Sequence, residues 1–97
     1  MKRTKKMQAL LEQMARIERM ERGTLCQMAG RPYYNHQTWY NGRNVVRYIP
    51  KNEVAELKKD LDGYRRFAEL AEKYADEVIR ETRTEKTRRK RQEKTKS

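Results

Sequence analysis

Acidic residues are absent from one long stretch of this chain: between Glu21 and Glu53 there is none. Cysteine is nearly absent as well. Cys26 stands alone, so no intramolecular disulfide can form, and no C-x₂-C spacing exists. With His36 as the only histidine, a structural zinc site would lack nitrogen and sulfur ligands. No apolar run approaches the length of a membrane span, and the Lys-rich start leads into an amphipathic stretch instead of a signal-type apolar one. These absences predict a cytoplasmic protein with no metal, no cofactor and no membrane partner.

Apolar residues are also scarce. They make up 35% of the 97 residues against 40% charged, and a chain of this size buries only about 60–65% of its unfolded surface. Its core must be thin, and such chains often complete one by self-association, because an apolar stripe needs something to face. A homo-oligomer or a helical protein partner is therefore expected.

What is present is positive charge in blocks. The net charge is +11. Residues 1–21 carry +3, residues 22–51 carry +5 with no acids, residues 52–79 carry −3, and residues 80–97 carry +6. A chain that needed charge only for solubility would interleave the signs, as 52–79 does. Segregated positive blocks favour a polyanion partner. The acid-free stretch holds Arg22, Arg31, Arg43, Arg47 and Lys51, and also Tyr33, Tyr34, Trp39, Tyr40 and Tyr48, five of the eight aromatics.

Periodicity organises the chain as α+β. Met7, Leu10, Met14 and Ile17, widened by Leu11 and Met20, predict an amphipathic helix over 5–22, with Glu12–Arg16 and Glu18–Arg22 as favourable i,i+4 pairs and Gly23 as its stop. The turn cluster Ala29-Gly30-Arg31-Pro32 separates a short strand, 24–28, from a longer one, 33–40. Asn41-Gly42 then predicts a type I′ hairpin into a third strand, 43–49. A two-residue loop pairs Tyr40 with Arg43, Thr38 with Val45, His36 with Arg47 and Tyr34 with Ile49 on one face. The other face pairs Trp39 with Asn44, Gln37 with Val46 and Asn35 with Tyr48. The first face is the better core candidate. On the second, amides and rings could read base edges and stack on bases. Trp and Tyr are also ordinary cross-strand partners, so the residues leave open whether this face recognises or merely packs.

Asn52 is a plausible N-cap for a long amphipathic helix over 52–82. Val54, Leu57, Leu61, Tyr64, Ala68, Ala71, Ala75 and Val78 hold three-four spacing, with Phe67, Leu70 and Tyr74 beside the seam. From 52 to 80 it would be roughly 40 Å long, more than a three-stranded sheet covers, so part of the seam must face the first helix or a second copy of the chain. Gly63 in its interior costs about 1 kcal/mol against alanine, which points to close packing there. Residues 1–82 thus read as one small domain. Residues 83–97, with Arg83, Lys86, Arg88, Arg89, Lys90, Arg91, Lys94 and Lys96, read as a basic, flexible tail that could continue the helix in part but should fray with no face to bury; it suits phosphates, although a plain solvated terminus has the same composition.

The runs Gly30-Arg31-Pro32-Tyr33-Tyr34, Trp39-Tyr40-Asn41-Gly42-Arg43, Arg47-Tyr48-Ile49-Pro50-Lys51 and Gly63-Tyr64-Arg65-Arg66-Phe67 resemble a domain-of-unknown-function family of small bacterial proteins often carried by mobile elements such as insertion sequences. The likeness spans roughly 15–84. It implies no activity, and its mobile-element association raises the expectation of a DNA-related role. Many relatives hold a cysteine cluster before the hairpin. Here only Cys26 stands there, followed by Gln27, Met28 and Ala29, which puts any metal role of those relatives in doubt for this chain.

Catalysis is not expected. A paired-histidine nuclease needs two histidines on one metal. The acid clusters Asp60 with Asp62, and Glu69 with Glu72 and Asp76, are matched by i,i+4 cations at Arg66, Lys73 and Arg80. A Cys26–His36 nucleophile pair across neighbouring strands is conceivable, but nothing else supports it. The expected function is a non-catalytic nucleic-acid-binding accessory protein, with DNA favoured over RNA. Its candidate contacts are Arg31, Tyr33, Trp39, Arg43, Arg47 and Lys51 on the sheet and Arg88, Arg89, Lys90 and Arg91 in the tail. The alternative is an adaptor that uses the long heptad helix to dimerise or dock onto a partner protein.

Overall fold

The computed structural model describes residues 2–27 and 29–95, with the side chains of 93–95 outside the description. The element order is α1 (Lys5–Ala15), β1 (Thr24–Gln27), β2 (Tyr34–Tyr40), β3 (Arg43–Ile49), a 3₁₀ turn (Lys51–Glu53) and α2 (Val54–Thr95). This is the α+β order the periodicity predicts. The chain forms two compact units, Met1–Arg16 with Ala68–Ser97 and Ile17–Phe67.

In the second unit the sheet is antiparallel in the order β1-β2-β3. Asn41 (φ 50°) and Gly42 (φ 77°) both take positive φ, as a type I′ turn requires. The hairpin register is the expected one throughout, from Tyr40 opposite Arg43 to Tyr34 opposite Ile49. β1 pairs only with the base of β2, Thr24 opposite Gln37 through Gln27 opposite Tyr34, so the hairpin beyond Gln37 is a two-stranded ribbon. Met28, expected to end β1, lies outside the described residues. Ile49, Val54 and Leu57 form the buried core, with Leu25, Tyr34 and Leu61 packed against it. The face predicted as core is core at its base alone, because Val45, nearer the tip, is exposed.

The helix expected over 5–22 ends at Ala15. Residues 17–22 are not helical, and Gly23 forms a bend before β1 instead of a helix stop. The reason lies in α2. An added Cβ at Gly63 would overlap the Arg19 carbonyl oxygen and stand 3.3 Å from its carbon. The Glu21 N–H donates to the Asp60 carbonyl at 2.8 Å. Arg19 pairs with Asp60 and, at 2.5 Å, with Glu56, and the Arg22 guanidinium lies 5.2 Å above the Tyr64 ring. These contacts require the segment extended, and they replace the expected Glu18–Arg22 helix pair. The close packing anticipated at Gly63 is present, with a backbone as the partner. Asn52, the expected N-cap, instead sits inside the 3₁₀ turn, whose first bond runs from the Glu53 N–H to the Pro50 carbonyl at 2.9 Å.

In the first unit Thr4 caps α1, its hydroxyl accepting from the Met7 N–H at 3.1 Å, a cap typically worth about 1 kcal/mol. Met7, Leu10 and Leu70 are buried. So is Glu77, 4% exposed, which accepts from Arg80 at 2.6 Å and from the Thr4 hydroxyl at 3.4 Å, with Lys6 at 3.8 Å. The segment expected to be a flexible tail from residue 83 is helical through Thr95. Hydroxyl bonds from Thr82, Thr84 and Thr87 to carbonyls four residues back, and the Glu85–Arg89 pair at 2.9 Å, lie along this stretch. Lys94, Lys96 and the end of the expected tail fall where side chains or backbone are outside the description.

Candidate nucleic-acid interface

The ribbon tip is built by the period-2 geometry of two strands that lose their neighbour at Gln37. Beyond that point Thr38 is half-buried and Trp39, Tyr40 and residues 43–46 are exposed. β3 is exposed at six of its seven residues, Ile49 being the exception. Trp39 is 74% exposed, Tyr40 69%, Tyr48 59%, and Val45 and Val46 are exposed too. Trp39 is thus not sealed in a core.

The two faces carry different chemistry. On the face that turns into the core at its base lie Tyr40, Arg43, Val45, Arg47, His36 and Ile49. On the other lie Trp39, Asn44, Gln37, Val46, Asn35 and Tyr48, with no charged residue among them. Tyr33 meets Tyr48 edge to face, ring centroids 5.6 Å apart and planes at 62°. Arg31 donates to the Tyr33 hydroxyl at 2.6 Å, its guanidinium 5.9 Å from the ring centroid. The structure therefore divides the predicted sheet contacts. Tyr33, Trp39 and Arg31 belong to the ring face, while Arg43 and Arg47 are on its reverse.

The cations also differ in how committed they are. Arg43 and Lys51 are exposed and their side chains have no hydrogen-bond or ion-pair partner among the described residues. Arg47 donates to His36 Nδ1 at 3.4 Å and lines a cleft with Glu53, Glu56 and Asp60. His36 is buried, with Nε2 2.6 Å from the Arg22 carbonyl oxygen. A carbonyl cannot donate and a guanidinium cannot accept, so the His36 proton resides on Nε2. The buried histidine is a bolt between the chain at Arg22 and β3. This role was invisible to periodicity, which places His36 opposite Arg47 on the core-candidate face and says nothing of Arg22.

Cys26 pairs with Asn35 and Leu25 with His36, so Cys26 and His36 are on opposite faces of the sheet. The conceivable nucleophile pair is not assembled. Among the described residues no group of three or more His, Cys, Asp or Glu side chains is placed to hold a metal ion, and no helix is long and apolar enough to cross a membrane. The first acid cluster is tied to cations: Asp62 to Arg65 at 3.3 Å and Asp60 to Arg19. Arg80 pairs with Glu77 and Glu81, not with the expected Asp76. The hydrogen bond from Arg80 holds the Glu77 carboxyl below its ordinary pKa, with Lys6 and Thr4 adding to it and burial opposing it. Asp60 and Glu56 hold the Arg19 guanidinium more firmly protonated than usual.

The tail candidates stand on one helix. Arg88 and Lys90 are exposed with no partner among the described residues, Arg89 pairs with Glu85, and Arg91 is engaged. Arg80, Arg83, Arg88 and Arg91 border a shallow depression along α2 with Thr84 and Thr87.

The family described as Domain of unknown function (DUF6788) matches residues 2–59, more than half of the chain, and the chain belongs to that family. The match takes in α1, the whole sheet and the first turns of α2, and it stops before Gly63-Tyr64-Arg65-Arg66-Phe67, which the motif resemblance includes. No curated protein and no solved structure matches the chain.

Proposed function

We propose that this chain is a cytoplasmic, non-catalytic accessory protein that binds nucleic acid through the β2–β3 ribbon, with the basic stretch of α2 as a second, sequence-independent contact. The observation that carries the reading is the ribbon tip beyond Gln37: exposed on both faces, ring-bearing on one and cationic on the other, within a stretch free of carboxylates. A two-stranded ribbon is thin enough to enter a groove or lie along a backbone. Arg43 on the ribbon and Lys51 in the turn after it are the best phosphate contacts, because nothing among the described residues already neutralises them. An accessory role in a bacterial mobile element, and DNA ahead of RNA, are parts of this proposal that rest on the motif resemblance.

A gel shift with a mixed-sequence DNA duplex at about 50 and 200 mM salt tests the class of ligand. Each phosphate contact contributes a slope of about −0.9, so each costs about 3.5-fold in affinity over that range. Arg43→Ala with Arg47→Ala should lower both the affinity and the slope, with thermal melting of the variant as the control for the His36 contact. Unchanged affinity in the double variant would remove the ribbon from the site. Absence of any shift with nucleic acid at the lower salt would favour the adaptor reading.

A further inference from the structure

Among its paired strand residues the ring face of the sheet holds no cation; Arg31, in the turn before β2, stands at its Tyr33 end. A duplex presents phosphates first and keeps the flat faces of its bases stacked on one another, so a neutral aromatic surface has little to offer it. Unpaired bases expose those faces. Stacking on aromatic side chains is how sequence-tolerant binders of single strands take hold of them, with cations at the margin tracking the backbone. The ring face has this division. Trp39 and Tyr48 stand out from it. They are two rows apart on neighbouring strands, which strand geometry converts to about 14 Å. Gln37 and Val46 form the row between them. Arg31 lies at the Tyr33 end of this face; Arg43, at the hairpin tip, belongs to the reverse face and has no partner among the described residues.

We infer that the ring face is a stacking platform for single-stranded nucleic acid, with Trp39 and Tyr48 as its two stations, and that unpaired strand is the preferred ligand of the nucleic-acid site proposed above. The inference rests on that proposal and narrows it. The face is matched to this occupant by charge: the surrounding stretch carries +5 with no acid from residue 22 to residue 51, while the platform itself leaves bases free of competition from ion pairs.

Trp39 is the chain's only tryptophan, so its fluorescence reports on one station directly. The full chain is titrated with an oligothymidylate of about 15 nucleotides, the matching oligouridylate, and a hairpin duplex of equal charge. Tryptophan emission and the anisotropy of an end-labelled probe are read together. Expected are quenching by the single strands and at least a tenfold preference for one of them over the duplex. Trp39→Ala should lose roughly 5- to 150-fold in single-strand affinity, the range of one lost base stack, and little in duplex affinity. Because Trp39 is exposed, this variant is expected to keep the wild-type melting temperature. Tyr48→Ala, losing the same preference, keeps the test decisive if it does not. Thymidylate against uridylate distinguishes DNA from RNA as the source of the strand. Equal or tighter duplex binding, unaffected by Trp39→Ala, would overturn the platform while leaving nucleic-acid binding intact. A free chain of dimer mass with blue-shifted tryptophan emission would overturn it too, because a second copy would then cover the face. Failure of every probe to bind at low salt would overturn the proposed function itself.

Discussion

Replacing Gly63 by alanine sets two physical effects against each other, and their sizes decide the sign. In an exposed helix interior, alanine is better than glycine by about 0.8–1.0 kcal/mol. Had the first helix run to residue 22, that gain would be available unless a side chain intervened. Instead the Arg19 carbonyl lies where the new Cβ must go, with Ile17 Cγ2 at 3.5 Å. Neither backbone can rotate away, so the segment from Ile17 to Glu21 must shift. It is held by the 2.8 Å bond from Glu21 to Asp60 and by the Arg19 pairs with Asp60 and Glu56. Overpacking of this kind costs about 1–3 kcal/mol, and weakening the backbone bond adds about 0.5–1.5 kcal/mol. After subtracting the propensity gain, Gly63→Ala should destabilise by about 1–3 kcal/mol. For a chain of this size that lowers the melting temperature by roughly 5–20 °C. Far-UV circular dichroism, followed through heating and through urea, measures it. A variant as stable as the parent, or more stable, would refute the crossing of 17–22 over α2 and restore the longer helix.

Thr4→Ala removes both the cap of α1 and one partner of Glu77, and should cost about 0.5–2 kcal/mol in urea denaturation; Thr4→Ser should recover most of it. The Glu77 carboxyl has its folded pKa below the ordinary 4.5. Its contribution to stability is therefore full above that value and is lost as pH falls through the depressed one. Melting temperature should drop on acidification below about pH 4.5, and Glu77→Gln should flatten that limb; an unchanged limb would separate Glu77 from acid lability. Deleting residues 84–97 should weaken nucleic-acid affinity evenly across sequences, since backbone contacts carry no sequence information. Loss of a sequence preference on that deletion, read in a gel-shift competition, would contradict the role given to the basic stretch.

The hairpin was fully legible because two local signals sufficed. Asn41-Gly42 sets the loop length, and a period of two then fixes every pair from Trp39–Asn44 to Tyr34–Ile49. The first helix overran because Ile17 and Met20 continue the helical spacing of Met7, Leu10 and Met14, so the local pattern is the same in either conformation. What ends the helix at Ala15 is distant: a gap at Gly63 that admits a main chain, and carboxylates at Glu56 and Asp60 that draw Arg19. Glycine at 63 announced a close approach without naming the partner. Nothing local in the sequence marks Glu77 for burial, because its partners Thr4 and Lys6 are more than seventy residues away in the chain. The stretch after residue 83 has no apolar stripe, yet Arg, Lys, Glu and Gln are good helix formers, and continuing an existing helix avoids the cost of nucleation. Absence of a buried face therefore did not mean absence of helix.

The reach of the ribbon as a polyanion site can be bounded from its own contacts. Of the four sheet cations, Arg47 is turned to His36 and Arg31 to Tyr33. That leaves Arg43 and Lys51 without partners among the described residues. Two phosphate contacts correspond to a salt slope of about −1.8 on duplex DNA, a loss of only about 12-fold between 50 and 200 mM. Charge on the ribbon alone thus supports weak, shallowly salt-dependent binding. A much steeper slope would have to come from elsewhere, and Lys86, Arg88 and Lys90 are exposed cations of the basic helical stretch with no partner among the described residues. If the steepness vanished with residues 84–97 while the choice between paired and unpaired strands survived, affinity and selectivity would reside in different parts of the chain. That separation is what a neutral ring face on one element and a block of cations on another imply. A ring face that merely packed would leave the deletion variant with no preference at all.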